Sequence, residues 1–124
     1  MDKPLILFVD DDPDVVAAIK SGLETREYEV LIAGSGKEAL GMLEVSEPDL
    51  MIIDLRMEPM NGFELFQAIR KDLKFAGVPV FFLTAVDDAL AKKYGQKLGV
   101  SAFITKPVDL QYLDLRIRKS LAVC

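Results

Sequence analysis

The sequence contains no histidine and a single cysteine, Cys124, its last residue. Without imidazole there is no Ser-His-Asp triad, no Cys-His pair and no zinc site built on histidine. One cysteine excludes a disulfide framework or a cysteine metal site within one chain, and fits a reducing compartment. Long apolar runs are missing as well. The longest are Leu5 to Val9 and Val78 to Leu83, the latter carrying Pro79, far short of the roughly 20 residues that span a bilayer. The amino terminus lacks the basic-then-apolar pattern of a signal peptide. A cytoplasmic protein is expected. Basic charge is scarce too. Fifteen Lys and Arg stand against 20 Asp and Glu, a net charge of −5, the wrong sign for phosphate-backbone contacts by this chain. A DNA-binding partner domain on a longer parent chain stays compatible with this. Any chemistry must come from carboxylates, Lys, Thr, Ser and Tyr.

What is present suits one soluble globular domain over residues 1–124, with 51% hydrophobic and 28% charged residues. The stretch Leu50-Met51-Ile52-Ile53-Asp54 organises the rest. Four apolar residues run straight into a carboxylate, as in a strand covered on both faces. Similar runs recur. Leu5-Ile6-Leu7-Phe8-Val9 leads into Asp10-Asp11-Asp12-Pro13-Asp14, where Asp12 and Pro13 have the form of a helix start. Val16, Ile19 and Leu23 then follow helical spacing. Tyr28 to Ala33 reads as a second strand. In Gly34-Ser35-Gly36-Lys37-Glu38, Ser35 and Glu38 form a capping box for a helix through Ala39, Leu40 and Leu43. A phosphate-loop reading fails there, because the spacing is wrong and Glu38 stands where Ser or Thr is needed.

After the Asp54 strand, Met60-Asn61-Gly62 turns into a helix carrying Phe63, Phe66, Ile69 and Leu73, closed by Gly77. Val78 to Leu83 is the fourth strand, with Pro79 near its start. A helix from about Asp87 to Leu98, stopped by Gly99, precedes a short strand over Ser101 to Thr105. The last helix places Leu110, Leu113, Ile117 and Leu121 on one face, leaving Tyr112 and Leu115 off it. Five strand-helix alternations imply a parallel sheet with helices on both faces. The expected fold is α/β, doubly wound and flavodoxin-like, with strand order 2-1-3-4-5. Val9 and Ile53 then end neighbouring strands at the topological switch point.

Residues just past the strand ends form the candidate site. They are Asp10 and Asp11 after the first strand, Asp54 after the third, Thr84 after the fourth and Lys106 after the fifth. Two unit charges ~4 Å apart cost about 4 kcal/mol at an effective dielectric of 20, so clustered carboxylates call for a counter-charge. Mg²⁺ takes one or two carboxylates, keeps waters and accepts a phosphate oxygen. A carboxylate beside it can act as a nucleophile and become an acyl phosphate. Taken singly, Asp12 and Asp14 are better read as helix-start residues, Thr84 as an ordinary strand-end Thr and Lys106 as a solvated charge. The common placement of Asp10, Asp11, Asp54, Thr84 and Lys106 at strand ends argues for the functional reading.

Val9-Asp10-Asp11-Asp12-Pro13, Asp54 followed by Met60-Asn61-Gly62, Thr84-Ala85 and Lys106-Pro107, in this order and spacing, resemble the receiver domain of bacterial two-component response regulators across nearly the whole chain. The resemblance implies that Asp54 is the phosphoacceptor. It implies Mg²⁺ held by Asp11 directly, by Asp10 through water, by Asp54 and by the backbone carbonyl of Arg56. Lys106 would contact the phosphoryl group, with a cis bond to Pro107, and Thr84 would swing toward it, followed by Phe103. The donor would be the phosphohistidine of a histidine kinase or phosphotransfer protein. A downstream effector or a second copy would meet the face made by the fourth helix, fifth strand and fifth helix, where Tyr112 and Leu115 are candidates.

Two residues depart from the family pattern. Glu58 intervenes in Met57-Glu58-Pro59 and adds negative charge near the site. Phe103 stands where Tyr is often found. Val86, two residues past Thr84, is apolar, and slow entry of hydrolytic water is expected. Two other readings compete. One is an aspartyl-phosphate hydrolase of the haloacid dehalogenase type, suggested by Asp10 and Asp12 but not by Asp14, where that motif has Thr or Val. The other is a scaffold that takes no phosphate. The chain is expected to be a single-domain regulator or a domain excised from a larger protein.

Overall fold

A computed structural model describes residues 3–85 and 89–122. Five strands alternate with five helices: β1 Leu5–Val9, α1 Pro13–Glu24, β2 Glu29–Ala33, α2 Gly36–Leu43, β3 Leu50–Asp54, α3 Gly62–Arg70, β4 Val80–Ala85, α4 Ala89–Leu98, β5 Ala102–Lys106 and α5 Leu110–Leu121. The strands form one sheet in the order β2-β1-β3-β4-β5, and every neighbouring pair is parallel. Val9 and Ile53 lie opposite each other at the switch point.

The apolar runs are buried because each face of the sheet carries its own core. Leu7, Val9, Met51, Ile53, Val80 and Phe82 face Ala39 and Leu43 of α2 and Leu65, Phe66 and Ile69 of α3. The alternate residues Ile6, Phe8, Leu50, Ile52, Phe81 and Leu83 face Ile19 and Leu23 of α1 and Leu113 and Ile117 of α5. This period of two is the strand's own geometry, and burial on both sides turns it into an unbroken apolar run. β3 is buried at all five residues.

Helix starts follow local chemistry. Asp12 caps α1 by accepting the N–H groups of Asp14 and Val15, with Pro13 as the first helical residue. The Ser35 hydroxyl accepts the Glu38 N–H at 3.1 Å, and a full reciprocal capping box stands at α3, where Asn61 and Glu64 exchange hydrogen bonds of 2.9 and 3.0 Å. Gly99, at φ +80°, follows the end of α4.

Strand ends differ from expectation by one or two residues: β2 begins at Glu29, β4 runs Val80–Ala85 and not Val78 to Leu83, so Thr84 lies within it, and β5 runs Ala102–Lys106. The expected start of the fourth helix at Asp87 and the residue Val86 lie outside the described residues, as does Cys124. One expectation is corrected. Spacing puts Leu73, four residues after Ile69, on the same helix as Phe63, Phe66 and Ile69, yet it is 87% exposed. α3 ends at Arg70 and is not closed by Gly77, and Asp72 caps a separate 3₁₀ turn, Leu73–Phe75. The Arg70 guanidinium donates to the carbonyls of Phe75 and Val78 at 2.6 and 2.9 Å and lies 4.8 Å over the Phe66 ring. That clamp folds the chain back, and Phe75 takes the buried place. Among the described residues no helix is long and apolar enough to cross a membrane.

Candidate functional site

The carboxyl ends of β1, β3 and β5 bring charged side chains to one place. The β1 ladder continues one residue past its strand, with the Asp10 N–H donating to the Ala33 carbonyl at 3.1 Å. Asp10, Asp54 and Lys106 stand two residues beyond Phe8, Ile52 and Ile104, which all belong to the α1 and α5 side of the core. Period-two alternation therefore turns these three side chains to the same side. Asp10 and Asp54 are buried, at 1% and 3% exposure, while Asp11 is exposed. One carboxylate oxygen from each of Asp10, Asp11 and Asp54 lies within 4.8 Å of the others.

Lys106 reaches into this cluster. Its Nζ donates to Asp54 Oδ2 at 3.1 Å and lies 3.7 Å from Asp10 Oδ2. The other oxygens are held by backbone. The Asp12 N–H donates to Asp10 Oδ1 at 3.0 Å, and the Arg56 N–H donates to Asp54 Oδ1 at 3.2 Å. Three carboxylates against one ammonium leave an excess of negative charge. Burial, and behind it the charge of Asp54, pushes the Asp10 carboxyl up from 3.8 to about 6 despite the Asp12 N–H. Burial pulls the Lys106 ammonium down, but the Asp54 hydrogen bond and the charges of Asp54 and Asp10 outweigh it, and the net shift is upward.

Asp10 Oδ2 is buried and has no hydrogen-bond partner. Such an oxygen is costly; Lys106 Nζ, 3.7 Å away, offsets its charge without donating a hydrogen bond to it, and a closer cation would complete it. The donor set is wholly carboxylate oxygen, partly buried and partly open through Asp11. Those features fit a small hard divalent cation such as Mg²⁺, with room for water.

The remaining candidates lie close by with other partners. Thr84 is 1% exposed, and its hydroxyl donates to the Ala85 carbonyl at 3.4 Å. Thr84 stands two residues past Phe82, and Phe103 pairs with Phe82 in the β4–β5 register. Both therefore belong to the opposite side of the sheet from Asp10, Asp54 and Lys106. The Lys106–Pro107 peptide is cis, and so is Glu58–Pro59. Glu58 is exposed and does not join the carboxylate cluster. Met57 beside it is buried in the core.

Gly62, quoted from the sequence within Met60-Asn61-Gly62, has a packing role that the sequence does not show. A Cβ on Gly62 would stand 2.7 Å from the Asp54 carbonyl oxygen and 2.8 Å from Leu55 Cα. The Gly62 N–H donates to the Leu55 carbonyl at 3.1 Å. The first turn of α3 thus backs onto the chain that carries Asp54. The available signal was a glycine at the first position of a capped helix, where Ser or Glu would serve the helix better.

Asp12 bears on the hydrolase reading. Its carboxylate accepts two α1 N–H groups, so it is oriented as a cap and away from the role of an acid beside Asp10.

The comparisons with known proteins agree with this geometry. The family model for the response regulator receiver domain matches residues 6–118. The transcriptional regulatory protein CrdR of Helicobacter pylori is 37% identical over 92% of the chain, which spans 53% of that protein. Protein PilH of Pseudomonas aeruginosa is 32% identical over 94% of the chain and 97% of its own length. The high-resolution structure of the chemotaxis response regulator CheY4 of Vibrio cholerae superposes with a TM-score of 0.89 at 28% identity, covering 96% of this chain and 99% of that one. The chain thus spans about half the length of CrdR and similar curated relatives and nearly all of PilH. Fold, site geometry and family match converge, and the chain belongs to the response regulator receiver domains of two-component signalling.

Proposed function

We propose that residues 1–124 act as one receiver domain in which Asp54 accepts a phosphoryl group from a phosphohistidine on a histidine kinase or phosphotransfer protein. The observation that carries this is the meeting of Asp10, Asp11 and Asp54 within 4.8 Å, with Lys106 Nζ 3.1 Å from Asp54 Oδ2. A carboxylate oxygen of Asp54 attacks phosphorus, the P–N bond breaks, the imidazole leaves with its electron pair, and an acyl phosphate remains. Asp10, Asp11, Asp54 and the Arg56 carbonyl would hold Mg²⁺, which supplies neutralisation of the negative charge gathered on the transferring group.

This chain's own residues do the rest. The Arg56 N–H fixes the Asp54 carboxylate through Oδ1 and leaves Oδ2 as the nucleophile. Lys106 already touches Oδ2 and moves onto a phosphoryl oxygen as the new bond forms, so its charge follows the charge of the reaction. Thr84 turns its hydroxyl from the Ala85 carbonyl to the phosphoryl group, and Phe103 repacks with it. The protein catalyses only its own phosphotransfer and slow loss of the group. The face made by α4, β5 and α5, with Tyr112 and Leu115 43% and 61% exposed, then meets an effector or a second copy. A cytoplasmic location belongs to the same reading.

The test is incubation with Mg²⁺ and a small phosphodonor such as phosphoramidate, read by intact mass. The native chain gains one phosphoryl group and Asp54→Asn gains none. No gain, or an equal gain in both, overturns the reading.

A further inference from the structure

Gly95 lies in the interior of α4, where glycine holds a helix worse than any residue but proline. Its neighbour explains it. A Cβ built on Gly95 would stand 2.2 Å from Cζ of Phe103, 2.9 Å from Cε1 and 3.3 Å from Cε2. The short distance to Cζ and the two longer, similar ones put that Cβ near the line running from the ring centre out through Cζ. The ring meets the α4 backbone tip first. It also rests against Phe82, with centroids 5.9 Å apart, and Phe82 is held edge-on by Phe63 and Phe66 at 5.2 and 5.6 Å. Gly41 offers the contrast. It too is helical, and nothing lies within 4 Å of its Cβ position.

We propose that Gly95 is the positioning residue for the side chain at 103, a seat that admits an unsubstituted ring tip first and ties the place of that ring to α4. The seat holds the ring tip against α4. It deepens the reading of the phosphoacceptor site and rests on it in one respect, that a phosphoryl group on Asp54 displaces Thr84. Thr84 and Phe103 share a side of the sheet. A move of Thr84 changes the packing beside the seated ring, and α4 follows through Gly95.

A double-mutant cycle in thermal denaturation tests the seat. Gly95→Ala lowers the melting temperature in the native background, because the methyl meets the ring. In a Phe103→Ala background the same change raises it, because alanine is the better helix former. A rise with Gly95→Ala in both backgrounds, or an equal fall in both, overturns the seat. NMR gives a second readout on the unmodified fold. Nuclear Overhauser contacts are expected between the Phe103 ring and the Gly95 α-protons, and their absence contradicts the proposal. With Mg²⁺ and beryllofluoride as a phosphoryl mimic, the Gly95 amide shifts in the native chain and shifts severalfold less in Phe103→Ala. An undiminished shift in Phe103→Ala counts against the coupling. No response to beryllofluoride anywhere, with the sign reversal and the ring contacts intact, supports the seat and fails the phosphoacceptor reading.

Discussion

Ionised Asp10 is costly to the folded chain, because burial and the neighbouring Asp54 charge both oppose it. Its carboxyl titrates at about 6 when folded, against 3.8 ordinarily. The folded state binds that proton more tightly than the unfolded state does. The stability this contributes is complete below about pH 4 and is lost as pH rises through about 6. Metal-free protein therefore becomes less stable through this group between those limits. Asp10→Asn removes that slope and is more stable than the native chain at pH 7, by roughly 1–2 kcal/mol. Mg²⁺ reverses the order, stabilising the native chain above pH 6 far more than the variant. Urea denaturation at pH 4.5, 5.5 and 7, with and without Mg²⁺, checks both statements. An unchanged slope in Asp10→Asn contradicts the electrostatic account of the site. Asp10 and Asp54 were legible in the sequence because the apolar runs of β1 and β3 end where a charge begins. That Lys106, and not an external ion alone, already touches Asp54 depends on strands 52 residues apart and was visible only in the folded chain.

At the scale of elements, glycine in a helix separates places where a side chain is excluded from places where it is merely absent. Gly41 in α2 has open space at its Cβ position, and Gly41→Ala raises stability by about 0.5–1 kcal/mol. Gly62 at the start of α3 has the Asp54 carbonyl and Leu55 Cα there. Gly62→Ala pushes α3 away from the Asp54 chain, lowers stability by about 1–3 kcal/mol and slows phosphorylation by a small donor. Thermal denaturation and single-turnover labelling of the two variants check the contrast, and equal effects would contradict it. Helix starts were readable because capping is local, as at Asp12 and Ser35. The end of α3 was not. Ile69 and Leu73 are four apart and look like one stripe, but the Asp72 cap and the Arg70 clamp on two later carbonyls end the helix between them. A clamp formed across a loop leaves no periodic signal.

Across the whole molecule, β1, β3 and β4 separate two apolar layers, one under α2 and α3 and the other under α1 and α5. The acidic cluster with Lys106 ends the α1 and α5 side, whereas Thr84 ends the other, on which Phe103 also lies near the start of β5. A phosphoryl group on Asp54 would thus be sensed across the sheet, by a threonine hydroxyl reaching past the end of β4. The order 2-1-3-4-5 was readable because short buried strands alternating with helices admit few topologies. The side of the sheet on which each site residue falls was not read, although the period of two contains it. The central claim is that the acceptor is Asp54. It is tested most directly by reducing the phosphorylated protein with borohydride, which converts an aspartyl phosphate to homoserine, and mapping the modified residue by peptide mass. The account predicts homoserine at position 54 alone. Homoserine at position 10 or 11, or unmodified peptides throughout after phosphodonor treatment, would contradict it.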